Sequence, residues 1–168
     1  KSFFKNPMVK YIGIFALSCI VLQILLHLPV IVEPFMYFTT RVTYYIVRLF
    51  DSSVMFSGYH IIGTIDMEII YECTGVYGLI ILLSGFYAAW FPWEEKAIAS
   101  MWGIVAIFCI NQIRLVSIFF ITSKWPSSFE ILHTYFWQLF LILFVCIIYF
   151  SWFKRMNEKY TKNEKKPN

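Results

Sequence analysis

Charged residues are scarce in this chain and make up 14% of it. Soluble domains carry about 25% charged and about 45–50% apolar residues, whereas 60% of this sequence is hydrophobic. The sequence also lacks internal repeats and low-complexity tracts, and its 168 residues leave no room for a separate soluble domain. These absences predict a single membrane domain over residues 1–168, with an all-α polytopic fold.

Paired cysteine spacing is also absent. None of the four cysteines forms a C-x-x-C or similar pattern, so the sequence predicts no zinc site, no disulfide framework and no cofactor. Cys19, Cys109 and Cys146 lie in apolar stretches, where we expect them to pack in the bundle as small hydrophobic residues. Cys73 differs because polar residues flank it in the run "IIYECTGVYGLIILL".

Long apolar stretches dominate what the sequence does contain. A helix needs roughly 20 residues to cross a bilayer core, and four stretches are predicted to span: about 11–32, 74–90, 97–121 and 129–153. Segment 33–50 is more polar, and Arg41 and Arg48 share one helical face. We interpret it as an interfacial helix, with an additional span as the alternative.

Basic residues cluster at both ends of the chain. Lys1, Lys5 and Lys10 precede the first span, and the tail 154–168 holds several more lysines and an arginine. The positive-inside rule therefore places both termini in the cytoplasm, which four spans satisfy. Segment 33–72 and the loop 122–130 then lie on the extracytoplasmic side.

The pattern between Val54 and Glu72 changes from helical to strand-like. Apolar and acidic side chains alternate through "IDMEIIYE", with one break at Ile70. A period of two indicates a strand with one buried face. We therefore predict a short extracytoplasmic β-hairpin that delivers the chain to Cys73.

Two polar residues of the third span need an explanation. Asn111 and Arg114 are three apart and share a helical face. Arg114 lies seven residues from the predicted outer end near Ile121, roughly 10 Å into the membrane. A buried arginine is costly and is by default a functional-site candidate. The alternative is a structural arginine that reaches lipid headgroups or pairs with Glu72.

Histidines are the candidates for an imidazole group at the site. His133 begins the fourth span, and the predicted topology places it at the membrane level of Cys73 and Arg114. His27, near the outer end of the first span, is a spare candidate for an imidazole role, and His60 is expected to be solvated.

A thiol, a guanidinium and an imidazole at one level suit acyl transfer through a thioester. A nearby cation lowers a thiol pKa, an arginine can stabilise an oxyanion, and an imidazole can transfer protons. Gly75 would let a substrate backbone approach and free amides at a helix N-terminus, and Thr74 could cap that helix. Glu72 could hold Arg114 or face water.

The ordered motifs resemble those of the exosortase/archaeosortase family of polytopic membrane transpeptidases. That family has a Cys-(Ser/Thr)-Gly, an Asn-x-x-Arg in the next span and a His at the head of a later span. The matching residues here are Cys73-Thr74-Gly75, Asn111-x-x-Arg114 and His133, within a resemblance that covers about residues 65–140. In its shortness the chain is similar to the small exosortase H-type members.

The resemblance implies a nucleophilic Cys73, an oxyanion-stabilising Arg114 and an acid–base His133. It further implies that Asn111 orients Arg114. Substrates would be exported proteins with a C-terminal motif, a transmembrane helix and a basic cluster, cleaved on the outer face and passed to an acceptor. A bacterial cytoplasmic membrane is expected, and no nucleic-acid partner.

Two other functions remain open at this point. The same residues would serve a cysteine protease that releases its product to water. A non-enzymatic assembly protein, in which an Arg114–Glu72 pair fixes helix packing, would instead tolerate loss of the Cys73 thiol.

Overall fold

Five helices and a small sheet make up the computed structural model of the chain, which describes residues 7–164. Lys1, Lys5 and the last four residues of the basic tail lie outside this range. The helices are α1 (Pro7–Leu26), α2 (Pro29–Arg48), α3 (Val76–Ala88), α4 (Trp93–Lys124) and α5 (Trp137–Glu164), and the strands are β1 (Met55–Ser57), β2 (His60–Ile62) and β3 (Asp66–Glu68).

Three helical stretches are long and apolar enough to cross a membrane: Pro7–Leu26, Trp93–Lys124 and Pro126–Lys162. The predicted span 74–90 instead contains the 13-residue helix α3, about 20 Å long against a core of about 30 Å. The all-α membrane fold is confirmed in this coarse form, and the count of four spans stays a prediction.

The first helix is shorter than predicted, because α1 ends at Leu26 and not near residue 32. Pro29 begins α2 in the first helical turn, where its missing N–H costs nothing and its fixed φ suits a helix. The sequence prediction merged the last turn of one helix with the first turn of the next, since both are apolar.

Helix α2 packs against α4 through a face of small polar residues. Thr39, Thr40 and Thr43 are fully buried, and the Thr43 hydroxyl donates to Gln112 Oε1 at 2.7 Å. The predicted interfacial helix 33–50 is thus a packed element of the bundle. Helix α2 is not among the described helices that are long and apolar enough to cross a membrane.

The predicted hairpin is a three-stranded antiparallel sheet in the order β1–β2–β3. Gly58, at φ +61°, turns the stretch "VMFSGYHII" back on itself. This stretch therefore forms two strands where the predicted hairpin had one. The predicted alternation along the last strand is confirmed, with Met67 and Ile69 buried while Asp66 and Glu68 are exposed. The buried face packs on Leu115, Ile118 and Phe119 of α4.

Close packing between α3 and α4 stabilises the part of the bundle away from the sheet. A Cβ on Gly103 of α4 would lie 2.8 Å from Leu82 Cδ2 of α3, so any larger residue would require the Leu82 side chain to shift. Helix α5 runs on to Glu164, which makes most of the tail 154–168 helical, and Lys159 pairs with Glu95 beside the tight α3–α4 turn. The basic tail therefore lies at the end of α4 remote from the sheet.

The Thr43–Gln112 hydrogen bond makes a testable contribution to this packing. Thr43→Val leaves the Gln112 carbonyl buried without its donor, and we expect the free energy of unfolding to fall by about 1–3 kcal/mol. The double variant Thr43→Val/Gln112→Leu removes both groups and should recover part of that loss. Unfolding in detergent measures both, and equal or larger destabilisation of the double variant would contradict this account.

Candidate active site

Cys73 lies in a tight turn between the sheet and α3. The 3₁₀ turn Tyr71–Thr74 follows β3, the Cys73 N–H donates to the Ile70 carbonyl at 2.9 Å, and the Thr74 hydroxyl donates to the Tyr71 carbonyl at 2.6 Å. Thr74 therefore closes the turn and does not cap α3, contrary to the prediction. Cys73 is buried at 5% exposure, and the hydrogen bonds of the turn hold its backbone in place.

Asn111 fixes this turn to α4. Its Nδ2 donates to the Cys73 carbonyl at 2.8 Å, and a Cβ on Gly75 would lie 3.1 Å from the Asn111 Cγ. Gly75, at φ +79°, thus makes room for Asn111, and its expected role in admitting a substrate backbone stays a prediction. Asn111 has no hydrogen bond to Arg114 within residues 7–164; the partner that the structure gives it is the Cys73 carbonyl, and its expected orienting role stays a prediction.

His133 approaches the thiol from a π-helical turn, Ile131–Phe136, that leads into α5. Its Nε2 lies 3.4 Å from the Cys73 Sγ, and the Phe129 ring stacks on the imidazole at 5.2 Å with an interplanar angle of 10°. A π-turn inserts an extra residue and rotates the side chains around it, and such turns are common at functional sites. The structure therefore brings together the predicted thiol and imidazole from two elements.

Arg114 is buried in α4 at 5% exposure, on the helical face that also carries Asn111. Glu72 is exposed and makes no ion pair with Arg114 in the described part of the chain, where the Arg114 Nε also lacks a hydrogen-bond partner. The structural pair between Arg114 and Glu72 is thus not formed. A buried cation without a carboxylate is costly unless an anion develops beside it.

Burial dominates the electrostatics of the thiol. It raises the pKa of Cys73 above that of an ordinary thiol, with smaller lowering effects from the backbone contact with Ile70 and from Arg114 and small raising effects from Glu72 and Glu68. The expected lowering by Arg114 is present but does not prevail. At rest the site therefore holds a neutral thiol whose proton needs an acceptor, and the His133 Nε2 lies next to it.

Two cavities meet at His133. One, the sheet cleft, has a volume of about 360 Å³ and is lined by residues 65–70, Cys73, His133 and the facing side of α4. The other, the helix groove, has a volume of about 330 Å³ and lies between α3 and α5; Arg114, Glu72 and His133 line it together with apolar residues such as Tyr77, Ile81 and Ile142. The reactive groups stand at the junction of a partly polar cleft and an apolar groove.

The other two histidines have partners other than the thiol. The His27 ring packs on Tyr71 at 4.1 Å and hydrogen-bonds Gln23, while His60 pairs with Asp66 at 2.9 Å. Phe129 and Tyr71 support the site and were missed, because isolated aromatics in so aromatic a sequence give no signal. No cluster of three metal-ligating side chains occurs among residues 7–164.

The remaining cysteines are not packed as expected. Cys109 and Cys146 are exposed on α4 and α5, and Cys19 is half-buried. The prediction was wrong for the first two because an apolar sequence environment does not distinguish a lipid-facing position from an interior one.

A family model described as transmembrane exosortase (Exosortase_EpsH) matches residues 8–150 of the chain. This range contains Cys73, Asn111, Arg114 and His133. Searches of curated proteins and of solved structures returned no match.

Alkylation tests the state of the thiol. With Cys19, Cys109 and Cys146 replaced by alanine, we expect iodoacetamide to modify Cys73 slowly at neutral pH and faster only above the range of an ordinary thiol, near 8.5. Arg114→Gln should move this profile to higher pH, because the pKa of Cys73 loses a lowering influence, and Glu72→Gln should move it slightly lower. The unfolded protein provides the reference profile. If the folded protein is alkylated at Cys73 at the same or a lower pH than the unfolded protein, the raised pKa of the buried thiol is contradicted.

Proposed function

The chain belongs to the transmembrane exosortase family, and we propose that it is a cysteine transpeptidase that acts on C-terminal tails of exported proteins. The observation that carries the proposal is the 3.4 Å contact between the Cys73 Sγ and the His133 Nε2, next to the buried Arg114. A nucleophile, a proton acceptor and a cation are the groups that acyl transfer requires.

In the proposed first half-reaction, the His133 Nε2 accepts the thiol proton as the Cys73 sulfur attacks the scissile carbonyl. Arg114 stabilises the oxyanion of the tetrahedral intermediate, which gives its buried charge a partner during the reaction. Protonated His133 then gives its proton to the leaving amine. The products are a thioester on Cys73 and a released C-terminal fragment.

In the second half-reaction, an acceptor nucleophile attacks the thioester carbonyl and gives its proton to His133. Collapse of the second tetrahedral intermediate breaks the carbon–sulfur bond, and the thiolate recovers the proton from His133. The raised pKa of Cys73 favours this last step, since a buried thiolate is a poor resting state. Asn111 acts through the backbone by holding the Cys73 carbonyl.

The substrate in this proposal carries a short motif, a transmembrane helix and a basic cluster. The helix groove offers an apolar surface that suits the transmembrane helix of the substrate. The sheet cleft offers a partly polar surface that suits the motif. Lys10 and Lys96 line a common cavity at the end of the bundle remote from Cys73, where Lys159 also lies. By the positive-inside rule that end faces the cytoplasm, so the site faces outward from a bacterial inner membrane.

Processing of such a tail tests the catalytic roles. In cells that co-express the protein and a tailed substrate, Cys73→Ala should abolish cleavage, and His133→Ala should lower its rate about 10²–10⁴-fold. Arg114→Gln should lower it about 10²–10³-fold, as removal of an oxyanion donor does. Cys109→Ala, an exposed cysteine on the same helix as Arg114, is the control expected to match the wild type. Normal cleavage by Cys73→Ala would refute the proposal.

The identity of the product separates transfer from hydrolysis. Mass spectrometry of the processed protein should find its new C-terminal carbonyl joined to an added group. A free carboxylate on all of the product would assign the chain as a protease that uses water as its acceptor.

A further inference from the structure

The sheet has an edge strand beside the reactive groups. In the order β1–β2–β3, β3 pairs with β2 on one side only. Residues 65–70, which include β3, line the sheet cleft together with Cys73 and His133. An open strand edge is a template for pairing with another extended chain.

The register determines which backbone groups of β3 face the cleft. The Ile69 N–H donates to the Tyr59 carbonyl and the Gly63 N–H donates to the Ile65 carbonyl, each at 2.9 Å, and Met67 is opposite Ile61. Hydrogen-bonded pairs alternate along an antiparallel ladder, so Ile65, Met67 and Ile69 direct their backbone groups to β2. The N–H and C=O groups of Asp66 and Glu68 therefore point to the open edge.

The side chains leave this edge accessible. Met67 is buried in the core beneath the sheet, whereas Asp66 and Glu68 are exposed on the opposite face. An incoming strand would thus meet two N–H and two C=O groups in the plane of the sheet, without displacing a packed side chain. Main-chain pairing of this kind gives affinity to extended peptides of varied sequence.

We infer that the substrate segment upstream of the scissile bond binds as a fourth strand on β3. This inference rests on the proposed function and adds to it the substrate-binding surface. The backbone groups of Asp66 and Glu68 hold that segment and direct its next peptide bond to Cys73.

The same geometry fixes the direction of the bound strand. In the proposed substrate the motif precedes the transmembrane helix, and the helix groove lies on the other side of His133 from the sheet cleft. The segment must therefore run toward Cys73 as it leaves the sheet cleft, which is also the direction of β3 from Asp66 to Ile70. The added strand is parallel to β3, with the substrate helix entering the groove between α3 and α5.

A proline at position 68 tests the backbone contact. Glu68→Pro removes an N–H that faces the open edge but leaves the ladder to β2 intact, since Met67 and Ile69 make those bonds. Glu68→Ala also loses the carboxylate but keeps the N–H. We expect the proline variant to process the tail about tenfold more slowly than the alanine variant. The proline variant loses one backbone hydrogen bond to the substrate, and the substrate backbone can no longer approach β3 as closely. Equal rates would overturn the inference.

Disulfide cross-linking tests the binding mode without relying on activity or on proline. In a background of Cys19→Ala, Cys73→Ala, Cys109→Ala and Cys146→Ala, a single cysteine is placed by Glu68→Cys or Asp66→Cys. Each is oxidised with a tail carrying one cysteine at successive positions. If Glu68→Cys links to substrate position n, a parallel strand requires Asp66→Cys to link to position n−2, with weak linking of either cysteine at the positions n−1 and n+1.

The outcomes separate this inference from the proposed function. Linking of Asp66→Cys to position n+2 would contradict the parallel direction, and linking without a period of two would overturn strand addition. Either result leaves the transpeptidase standing if Cys73→Ala still abolishes processing. Normal processing by Cys73→Ala would instead remove the proposed function, and this inference with it.

Discussion

The hydrogen bond from the Asn111 amide to the Cys73 carbonyl is the contact on which the site depends. It joins the turn between the sheet and α3 to the long helix α4. Gly75, in the left-handed region, is what lets the two backbones come close enough for this contact. Because α4 also carries Arg114 and the apolar face under the sheet, one helix positions the thiol, the cation and the strand that leads to them.

One buried group in this arrangement is poorly stabilised at rest. Arg114 is buried without a carboxylate partner in the described part of the chain, and the Cys73 thiol is held neutral by its surroundings. In the proposed reaction an oxyanion would form beside this guanidinium and give its charge a partner. A group that is better accommodated in the transition state than in the resting state is what catalysis requires.

Much of the site could be predicted from sequence because its residues are polar and the membrane is not. An arginine or an asparagine in an apolar span stands out, and charge at the chain ends places His133 at the level of Cys73. The contacts of Asn111 and Gly75 could not be predicted, since helical spacing says which residues share a face but not what that face meets. The raised pKa of Cys73 was also missed, because it follows from burial and not from its neighbours in sequence.

The fold was less predictable at element boundaries and in lipid-facing positions. Apolar residues on both sides of Pro29 hid a helix break, and Gly58 hid a turn within a strand-like stretch. Apolar sequence also fails to separate the interior from the lipid-facing surface, as Cys109 and Cys146 show.

The central claim is that Cys73 carries the substrate as a thioester, and hydroxylamine in place of the natural acceptor tests it most directly. With hydroxylamine present, the account predicts a hydroxamate at the new C-terminus of the processed protein. Without hydroxylamine, an acid quench should trap an adduct on Cys73 that hydroxylamine then releases, and cleavage with neither product would contradict the claim.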